Sequence, residues 1–256
     1  MPEPDAQVFE NFGYPLVQKA RRGGYDGRGV AVMKTAADFA TNLPVASITE
    51  KFIEADKEIS VLVARNAAGE CRAYPVVEMV FVEGHNVLDV LLAPARIDDN
   101  IAEAARELGI KTVKALDGVG VFGVEMFLTK AGDILVNEVA PRTHNSGHQS
   151  IEANVTDQFE QHLRAILNLP LGDADLLSSS AMVNLLGEPG FAGRPVIRGM
   201  NEALAIPGVS VHFYGKAVTK PYRKMGHVTV LDKDIQKAWD KAEQVKSILA
   251  IEGENR

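Results

Sequence analysis

The chain has 256 residues and is 46% hydrophobic, which is enough to bury a sizeable core in one large domain or two small ones. Its 27 Lys and Arg against 34 Asp and Glu give a formal net charge of −7, which argues against a general electrostatic grip on nucleic acid or on an anionic membrane. The single Cys71 excludes an intramolecular disulfide and a cysteine-based zinc site, as is usual in a reducing compartment.

The N-terminal residues, 1–5, have neither the basic start nor the apolar stretch of a secretory signal. No later run approaches the roughly 20 apolar residues that span a bilayer. We therefore expect a soluble, cytoplasmic protein that binds neither nucleic acid nor a membrane.

The first predicted elements are a strand at 15–20, a glycine-rich loop at 21–29 and a second strand at 30–33. Glycines in the loop allow backbone amides to approach an anion, and the adjacent strand supplies Lys19 as a cation. These glycines are Gly23, Gly24, Gly27 and Gly29. The loop is therefore a candidate phosphate cover. An ordinary turn is the alternative, because the spacing matches neither the GxxxxGK[ST] loop nor the dinucleotide fingerprint.

The same loop also contains Tyr25, Asp26 and Arg28, which carry hydrogen-bonding or charged groups that a plain turn does not need. We predict that these three side chains contact a substrate. The alternative is an ion pair between Asp26 and Arg28 on the surface, which would contribute little to stability.

Further strands are predicted at 47–53, 58–66 and 71–83, where β-branched residues dominate and Gly or Asn marks the ends. Such neighbouring strands predict a sheet of mostly antiparallel character.

Three helices are predicted from apolar residues at helical spacing. In the first, Asp98 and Asp99 can cap the N-terminus and Gly109 closes the helix, and the second is expected to end before Pro170. The apolar positions of the three helices are, in chain order, Ile97, Ile101, Ala104, Ala105 and Leu108; Ile151, Val155, Phe159, Leu163 and Ile166; and Ile235, Ala238, Trp239, Ala242, Val245 and Leu249.

The C-terminal third is rich in predicted strands, at 181–186, 209–216 and 225–231. We expect a main domain at 1–170 and a small β-rich subdomain at 171–256. The predicted fold class is α/β (α+β) with antiparallel sheets.

A hairpin is predicted where two apolar strands, 123–128 and 134–139, flank a tight turn. With Ala131-Gly132 at the centre of the turn, antiparallel partners sum to 263, which places Glu125 directly opposite Glu138. Two carboxylates at that distance destabilise the sheet unless a cation offsets them. Mg²⁺ binds through one or two carboxylates together with phosphate oxygens and waters, so a magnesium-nucleotide site explains the pair. The alternatives are a solvated sheet face or an ion pair with Arg142.

Several separate motifs follow one another through nearly the whole chain. They are Lys19, 24–29 (Gly-Tyr-Asp-Gly-Arg-Gly), 50–53 (Glu-Lys-Phe-Ile), Glu125, Asn137-Glu138, 140–148 (Ala-Pro-Arg-Thr-His-Asn-Ser-Gly-His), 182–187, 214–216 and 223–227. Together they resemble the ATP-grasp superfamily and, more narrowly, its N5-carboxyaminoimidazole ribonucleotide synthetase family. The resemblance implies two α/β subdomains that hold ATP between antiparallel sheets, with the glycine loop as a flexible lid.

The resemblance also implies roles in nucleotide binding. Lys19 would contact phosphate, 50–53 would meet adenine, Glu58 would bind the ribose hydroxyls, and Glu125 and Glu138 would hold Mg²⁺. The implied ATP-binding residues are Lys19, Gly24, Gly27, Gly29, Glu50, Lys51, Phe52, Ile53, Glu58, Asn137 and Glu138.

The reaction implied by the resemblance consumes ATP, bicarbonate and 5-aminoimidazole ribonucleotide and gives ADP, phosphate and the N5-carbamate, with bicarbonate activated as carboxyphosphate, in de novo purine biosynthesis. Lys19, Asp26 and Arg28 are the implied catalytic residues. Charge stabilisation and positioning suffice for such phosphoryl transfer, so no side-chain nucleophile is required. The family commonly dimerises, so a homodimer is expected.

The residues implied to bind the ribonucleotide come from three parts of the chain. Tyr25, Asp26 and Arg28 would lie near the aminoimidazole, His144, Asn145 and Ser146 in the middle, and Lys216, Arg223 and Lys224 near the phosphate, where a guanidinium fork matches the anion. His148 and His227 have an alternative interpretation as buried histidines satisfied by backbone groups.

The chain departs from the family in three places. It lacks the Rossmann-like N-terminal domain and the first stretch of the ATP-grasp domain, so an apolar face is expected to be uncovered. Lys220-Pro221-Tyr222-Arg223 stands where the family usually has Arg-Pro-Gly-Arg, which predicts an altered phosphate clamp. Phe81 stands where some members have a histidine, and we assign it no role.

Two other functions remain open from the sequence. One is a truncated module that binds Mg-ATP without catalysis. The other is a sibling ATP-grasp ligase, such as the formate-using glycinamide ribonucleotide transformylase or a biotin carboxylase.

Overall fold

The computed structural model describes residues 6–24, 29–82 and 87–255. The chain divides into two compact units, one made of residues 1–55 and 81–88 and the other of residues 56–80 and 89–256.

The smaller unit contains α1 (Ala6–Phe12), β1 (Leu16–Ala20), β2 (Val30–Met33), a 3₁₀ turn (Ala36–Thr41) and β3 (Ser47–Lys51). The three strands pair antiparallel in the order β2-β1-β3. Its core is formed by the buried side chains of Phe9, Leu16, Ala31 and Met33. The predicted strands before and after the glycine loop are confirmed, and the predicted strand at 47–53 ends at Lys51.

The remaining strands build one large sheet and one ribbon. They are β4 (Ala55–Arg65), β5 (Cys71–Ala73), β6 (Val77–Phe81), β7 (Leu88–Ala93), β8 (Gly120–Thr129), β9 (Ile134–Ala140), β10 (Ser179–Leu186), β11 (Ala192–Arg198), β12 (Val209–Phe213), β13 (Lys224–Asp232) and β14 (Ala250–Asn255). In the described part of the chain, nine of them form a sheet in the order β12-β13-β10-β7-β6-β4-β8-β9, with β5 paired to β4. The ribbon pairs β11 with β14. Antiparallel pairing is confirmed, and strands from both sides of the predicted boundary at 170 share the large sheet.

One predicted strand was wrong. The segment 71–83 forms two strands, β5 and β6, rather than one. Pro75 lies between them, and proline has no N–H to donate to a sheet, which explains the break.

The helices of the larger unit are α2 (Asp99–Leu116), α3 (Ser150–Ala153), α4 (Gln158–Ile166), α5 (Met200–Leu204) and α6 (Ile235–Ile248). The prediction that Gly109 closes α2 was wrong. Gly109 is buried within the helix, where an added Cβ would lie 3.2 Å from Val63 Cγ2, so the glycine permits close packing of helix on sheet. The helix ends at Leu116, and Asp117 after it has a left-handed backbone.

The single helix predicted over 151–166 was also wrong, because the segment forms α3 and α4. Asp157 caps α4 by accepting hydrogen bonds from the amides of Phe159 and Glu160 at 2.7 and 3.1 Å. The third predicted helix is confirmed as α6. No helix in the described residues is both long and apolar enough to cross a bilayer.

Candidate functional site

The predicted pairing of the two hairpin carboxylates is confirmed, because Glu125 on β8 is the direct partner of Glu138 on β9. The predicted centre of the turn was wrong. Nearer the turn, Leu128 pairs with Ile134 and Met126 pairs with Val136, so partners there sum to 262 rather than 263. A bulge at Asn137 adds the missing residue.

The bulge determines which side of the sheet carries Glu138. Val124 and Met126 belong to the buried core, so Glu125 between them points to the opposite side. Without the extra residue Asn137, Glu138 would lie opposite Val124 on the core side. With it, both carboxylates share one face.

His144 lies beside the first of these acids, with Nε2 3.4 Å from Glu125 Oε1. The Ser146 backbone amide donates to His144 Nδ1 at 3.3 Å, so a neutral ring carries its proton on Nε2, facing the carboxylate. The ring packs directly on β8 because Gly123 has no Cβ: one placed there would lie 2.8 Å from His144 Cβ. Arg142, the alternative partner for the acids, donates to Thr143 O at 3.0 Å.

Gln158, on α4, holds the loop that carries His144. Its side chain is fully buried, with Oε1 accepting from His144 N at 2.8 Å and Nε2 donating to His144 O at 2.9 Å. Because these two bonds fix the orientation of the amide, Nε2 also donates to His148 Nδ1 at 2.9 Å. Gln158 thus bonds both ends of the loop.

The polar residues between the two histidines bond inside the protein. Ser146 is buried, and its hydroxyl lies 2.9 Å from both His144 Nδ1 and Ser60 Oγ. Asn145 and Asn184 exchange two amide hydrogen bonds of 2.9 Å each. Since Asn184 belongs to β10, this pair ties the loop to the large sheet.

Three histidines form a stack next to this loop. The ring of His227 lies between those of His148 and His212, at centroid distances of 4.7 and 4.5 Å. His212 Nε2 is 2.6 Å from Glu152 Oε1, and Tyr214 Oη is 3.0 Å from His227 Nδ1. We call His148, His212 and His227 the histidine stack.

Burial keeps two rings of the histidine stack uncharged. It lowers the pKa of His148 to about 4, with nearby Lys224 adding to the effect, and the pKa of His227 to about 3, with His148 adding to it. Both rings are therefore neutral at neutral pH. The prediction that backbone groups satisfy them was wrong, since the partners in the structure are Gln158 and Tyr214.

The basic residues predicted to bind the phosphate of the ribonucleotide follow Tyr214 in the chain, at 216–224. Lys216 Nζ is 5.5 Å from the centre of the Tyr214 ring and donates to the Lys224 carbonyl at 2.5 Å. Arg223, which precedes Lys224, donates to Val218 O at 2.8 Å. Lys216 and Arg223 thus lie in the connection between β12 and β13, and Lys224 is the first residue of β13.

Tyr222 shows what the altered Lys-Pro-Tyr-Arg segment does to the backbone. Its φ is +60°, in the left-handed region that glycine adopts most easily. The departure from the family's glycine is therefore accommodated at a strained position, and Tyr222 N still donates to Gly187 O at 2.8 Å.

In the smaller unit, Lys19 and Glu50 lie on neighbouring strands and form an ion pair of 2.7 Å. The described ends of the glycine loop lie close together, since Ala20 N donates to Gly29 O at 2.7 Å and an added Cβ at Gly29 would lie 3.3 Å from Gly24 Cα. The predicted contacts Tyr25, Asp26, Gly27 and Arg28 lie outside the described residues.

The predicted adenine segment, 50–53, ends just before the division between the units at residues 55 and 56. Lys51 is exposed, and Phe52 and Ile53 are half-buried. In the larger unit, half-buried Glu58 pairs with Met79 across the sheet.

The residues at the hairpin fit a magnesium ion. Two carboxylates on one face and the amide of Asn137 offer the hard oxygen donors that Mg²⁺ prefers. No group of three or more His, Cys, Asp or Glu side chains that could hold a metal occurs in the described ranges. That is compatible with Mg²⁺, which needs only one or two carboxylates when phosphate and water supply its other ligands.

The sequence analysis missed residues that support the site. Gln158, His212, Glu152 and Tyr214 bond or stack within the described larger unit, and only Tyr214 lay in a motif that the sequence singled out. A buried carboxylate, Glu78, was missed as well: Lys57 and Arg96 bind it at 2.9 and 2.6 Å and lower its pKa.

Two sequence-family models match the chain. The ATP-grasp domain model matches residues 3–159, and the model of the phosphoribosylaminoimidazole carboxylase C-terminal domain matches residues 180–241. The phosphoribosylaminoimidazole carboxylase of Schizosaccharomyces pombe is 40% identical over 249 residues, covering 91% of this chain and 44% of that protein. The N5-carboxyaminoimidazole ribonucleotide synthase of Mycobacterium bovis is 43% identical over 241 residues, covering 90% and 55%. The chain spans about half the length of these relatives.

Solved structures give the same picture. The N5-carboxyaminoimidazole ribonucleotide synthetase of Thermotoga maritima superposes with a TM-score of 0.89 and 52% identity, covering 97% of this chain and 65% of that one. The N5-carboxyaminoimidazole synthase of Aspergillus clavatus, solved with ADP and 5-aminoimidazole ribonucleotide, superposes with a TM-score of 0.83 and 34% identity, covering 94% and 64%.

Proposed function

The chain belongs to the ATP-grasp family, and from that premise we propose that it carries out the ATP- and bicarbonate-dependent carboxylation of 5-aminoimidazole ribonucleotide. The proposal rests above all on one observation: Glu125 and Glu138 are direct partners at one end of a network of contacts that runs through His144, Gln158 and the histidine stack. A magnesium-nucleotide at one end and a phosphorylated acceptor at the other would both suit that arrangement.

The residues proposed to bind the nucleotide come from several strands. Lys19 and Glu50 would bind ATP in the smaller unit, together with Gly24, Gly27, Gly29 and the segment 50–53. In the larger unit Glu58 would bind the ribose, and Glu125, Glu138 and Asn137 would hold Mg²⁺. The ion supplies positive charge to the oxygens of the transferring phosphoryl group.

The acceptor end would use the turn between β12 and β13. Lys216, Arg223 and Lys224 would bind the phosphate of the ribonucleotide, and Tyr25, Asp26 and Arg28 would contact its aminoimidazole. His144 and Asn145 would lie between the two ends, while Ser146, whose hydroxyl is bonded internally, would act through His144. The γ-phosphoryl group passes to bicarbonate with release of ADP, and the ribonucleotide amine then displaces phosphate to form the N5-carbamate.

A phosphate-release assay tests this proposal. We expect release from ATP only when bicarbonate and 5-aminoimidazole ribonucleotide are both present. Release with formate and glycinamide ribonucleotide instead would identify a sibling ligase.

A second candidate is a module that binds Mg-ATP without turnover, since Glu125 and Glu138 by themselves account for metal binding. Saturable Mg-ATP binding with no phosphate release under any acceptor would support that candidate and reject the ligase. We also propose a cytoplasmic location and a homodimer.

A further inference from the structure

Tyr214 connects the histidine stack to the residues proposed to bind the ribonucleotide phosphate. Its hydroxyl oxygen lies 3.0 Å from His227 Nδ1, and its ring centre lies 5.5 Å from Lys216 Nζ. The backbone of Tyr214 is fixed as well, because its amide donates to Met225 O at 2.9 Å. The side chain is 36% exposed, so a ligand bound by Lys216 can also reach Tyr214.

The ring of His227 is held in one orientation. On β13 it pairs directly with His212 of β12, and it lies between the rings of His148 and His212 at interplanar angles of 17° and 16°. The two outer rings have partners of their own, since Gln158 lies 2.9 Å from His148 Nδ1 and Glu152 lies 2.6 Å from His212 Nε2. The central ring therefore presents its Nδ1 in a fixed direction.

The surroundings of His227 indicate which of its nitrogens carries the proton. The ring is neutral at neutral pH, so it has one N–H group and one acceptor nitrogen. Nε2 is buried and has no hydrogen-bond partner in the part of the chain that the structure describes. A buried N–H without an acceptor is rarer than a buried acceptor without a donor, which favours the proton on Nδ1. Nδ1–H then donates to Tyr214 Oη.

This direction of the hydrogen bond leaves the hydroxyl proton of Tyr214 for another acceptor. Burial raises the pKa of Tyr214 to about 12, so the hydroxyl keeps its proton at neutral pH. The ammonium group of Lys216 beside the ring favours an acceptor that is an anion. A phosphate oxygen meets both conditions.

We propose that the Tyr214 hydroxyl donates a hydrogen bond to the phosphate of the ribonucleotide, and that His227 is a positioning residue that orients this hydroxyl. The inference rests on the proposed function, because it takes Lys216 to bind the same phosphate. It adds a neutral donor to the basic side chains of Lys216, Arg223 and Lys224, and it gives the histidine stack a task in substrate binding.

Calorimetric binding to the full chain, which needs no turnover, tests the contact. The two probes are 5-aminoimidazole ribonucleotide and the corresponding riboside, which lacks the phosphate. Tyr214→Phe removes only the hydroxyl, so we expect the dissociation constant of the ribonucleotide to rise at least about 10-fold and that of the riboside to stay the same. Tyr74→Phe is the matched control: its buried hydroxyl donates to Thr156 O at 2.9 Å, so this variant should lose stability and bind both probes like the unaltered chain.

Nuclear magnetic resonance of the chain with ¹⁵N-labelled histidine tests the positioning role. Long-range correlations between ring protons and nitrogens distinguish a ring protonated on Nδ1 from one protonated on Nε2. The signal of His227, identified by its loss in His227→Asn, should show the proton on Nδ1. If that variant fails to fold, the change of the same signal in Tyr214→Phe identifies it.

The variants of His227 provide a rescue experiment. Asn places an N–H group near the position of Nδ1, so His227→Asn should keep most of the affinity for the ribonucleotide. His227→Leu has no donor there and should lose about as much affinity as Tyr214→Phe, at least about 10-fold.

Three results would overturn the inference. They are a Tyr214→Phe variant that binds the ribonucleotide as tightly as Tyr74→Phe does, an equal loss of affinity for the ribonucleotide and the riboside, and a His227 ring protonated on Nε2. An unaltered chain that binds no ribonucleotide would reject this contact together with the proposed acceptor. Binding without phosphate release would reject the ligase alone and leave the contact in place.

Discussion

The carboxylate hairpin and the histidine stack both bring like ionisable groups together, but they avoid repulsion in different ways. Glu138 is exposed and Glu125 is 15% exposed, so a bound cation can reach the pair and offset its charge. His227 is 2% exposed, and burial keeps it and His148 neutral. The accessible acid pair is therefore suited to bind a ligand, whereas the buried, neutral histidine rings are suited to a structural role.

The largest expected effect comes from removing one charge of the hairpin. Glu138→Gln keeps the shape but takes away one anionic donor for Mg²⁺. We expect phosphate release to fall about 1,000-fold, equal to about 4 kcal/mol of transition-state stabilisation. The measurement is the rate of phosphate release as a function of Mg²⁺ concentration. Exposed Glu107→Gln on α2 is the control, and a Glu138 variant as active as that control would reject the metal role.

Removing Gln158 tests whether the histidine loop depends on α4. Gln158→Leu leaves the amide of His144 without its acceptor and Nδ1 of His148 without its donor, so we expect about 3 kcal/mol less free energy of unfolding in urea. Gln161→Leu is a matched control, equally buried on the same helix but bonded to Gly172. Both variants should lose stability, and only Gln158→Leu should raise the KM for ribonucleotide. Equal KM changes would show that the loop does not depend on Gln158.

The pH dependence of stability tests the neutral state of the stack. The ordinary histidine pKa is 6.5, and burial lowers it to about 4 in His148 and about 3 in His227. Between pH 6.5 and 4 the unfolded chain therefore binds protons that the folded chain does not. The free energy of unfolding should be highest above pH 6.5 and fall with pH by up to about 1.4 kcal/mol per pH unit for each histidine.

The contribution of the histidines to this pH dependence can be separated from that of the carboxylates. Glu78 and Asp232, whose pKa values partner side chains hold below the ordinary 4.5 and 3.8, lose stabilisation only at lower pH. His148→Gln should make the slope between pH 6.5 and 5 shallower. A slope that this variant leaves unchanged would show that the stack is not its source.

The hairpin was predictable from the sequence because its members are close in the chain. Alternating apolar residues and a Gly-containing turn determine which residues can pair, and Glu125 and Glu138 were placed together correctly. The prediction placed the turn half a residue off, and the bulge at Asn137 restored the pairing. A bulge has no composition signal of its own, so this compensation could not be foreseen.

The parts that the sequence did not predict depend on contacts between distant segments. Gly109 was predicted to end a helix, yet it lies within α2 and packs against Val63 on β4. His212 and His227 meet because they are direct partners on β12 and β13, and His148, from the distant loop before α3, stacks on His227. Helical spacing found the apolar stripe of α4, but not that the stripe faces solvent.

The smallest expected effect lies in the turn of the hairpin. Gly132 has a φ of +87°, and an added Cβ would have no atom within 4 Å, so a substitution there meets backbone strain alone. Gly132→Ala should lower the free energy of unfolding by about 1 kcal/mol, and Gly132→Asn by less, because Asn tolerates the left-handed region better. Urea unfolding of the two variants measures the difference.

Phosphate release by the same two variants shows whether the turn or the bulge determines the side of the sheet on which Glu138 lies. If the bulge at Asn137 sets the face that carries Glu138, both variants should release phosphate at the rate of the unaltered chain. A large loss of activity in Gly132→Ala, with Gly132→Asn still active, would show instead that the turn controls the register, because only a slipped strand would move Glu138 to the core side.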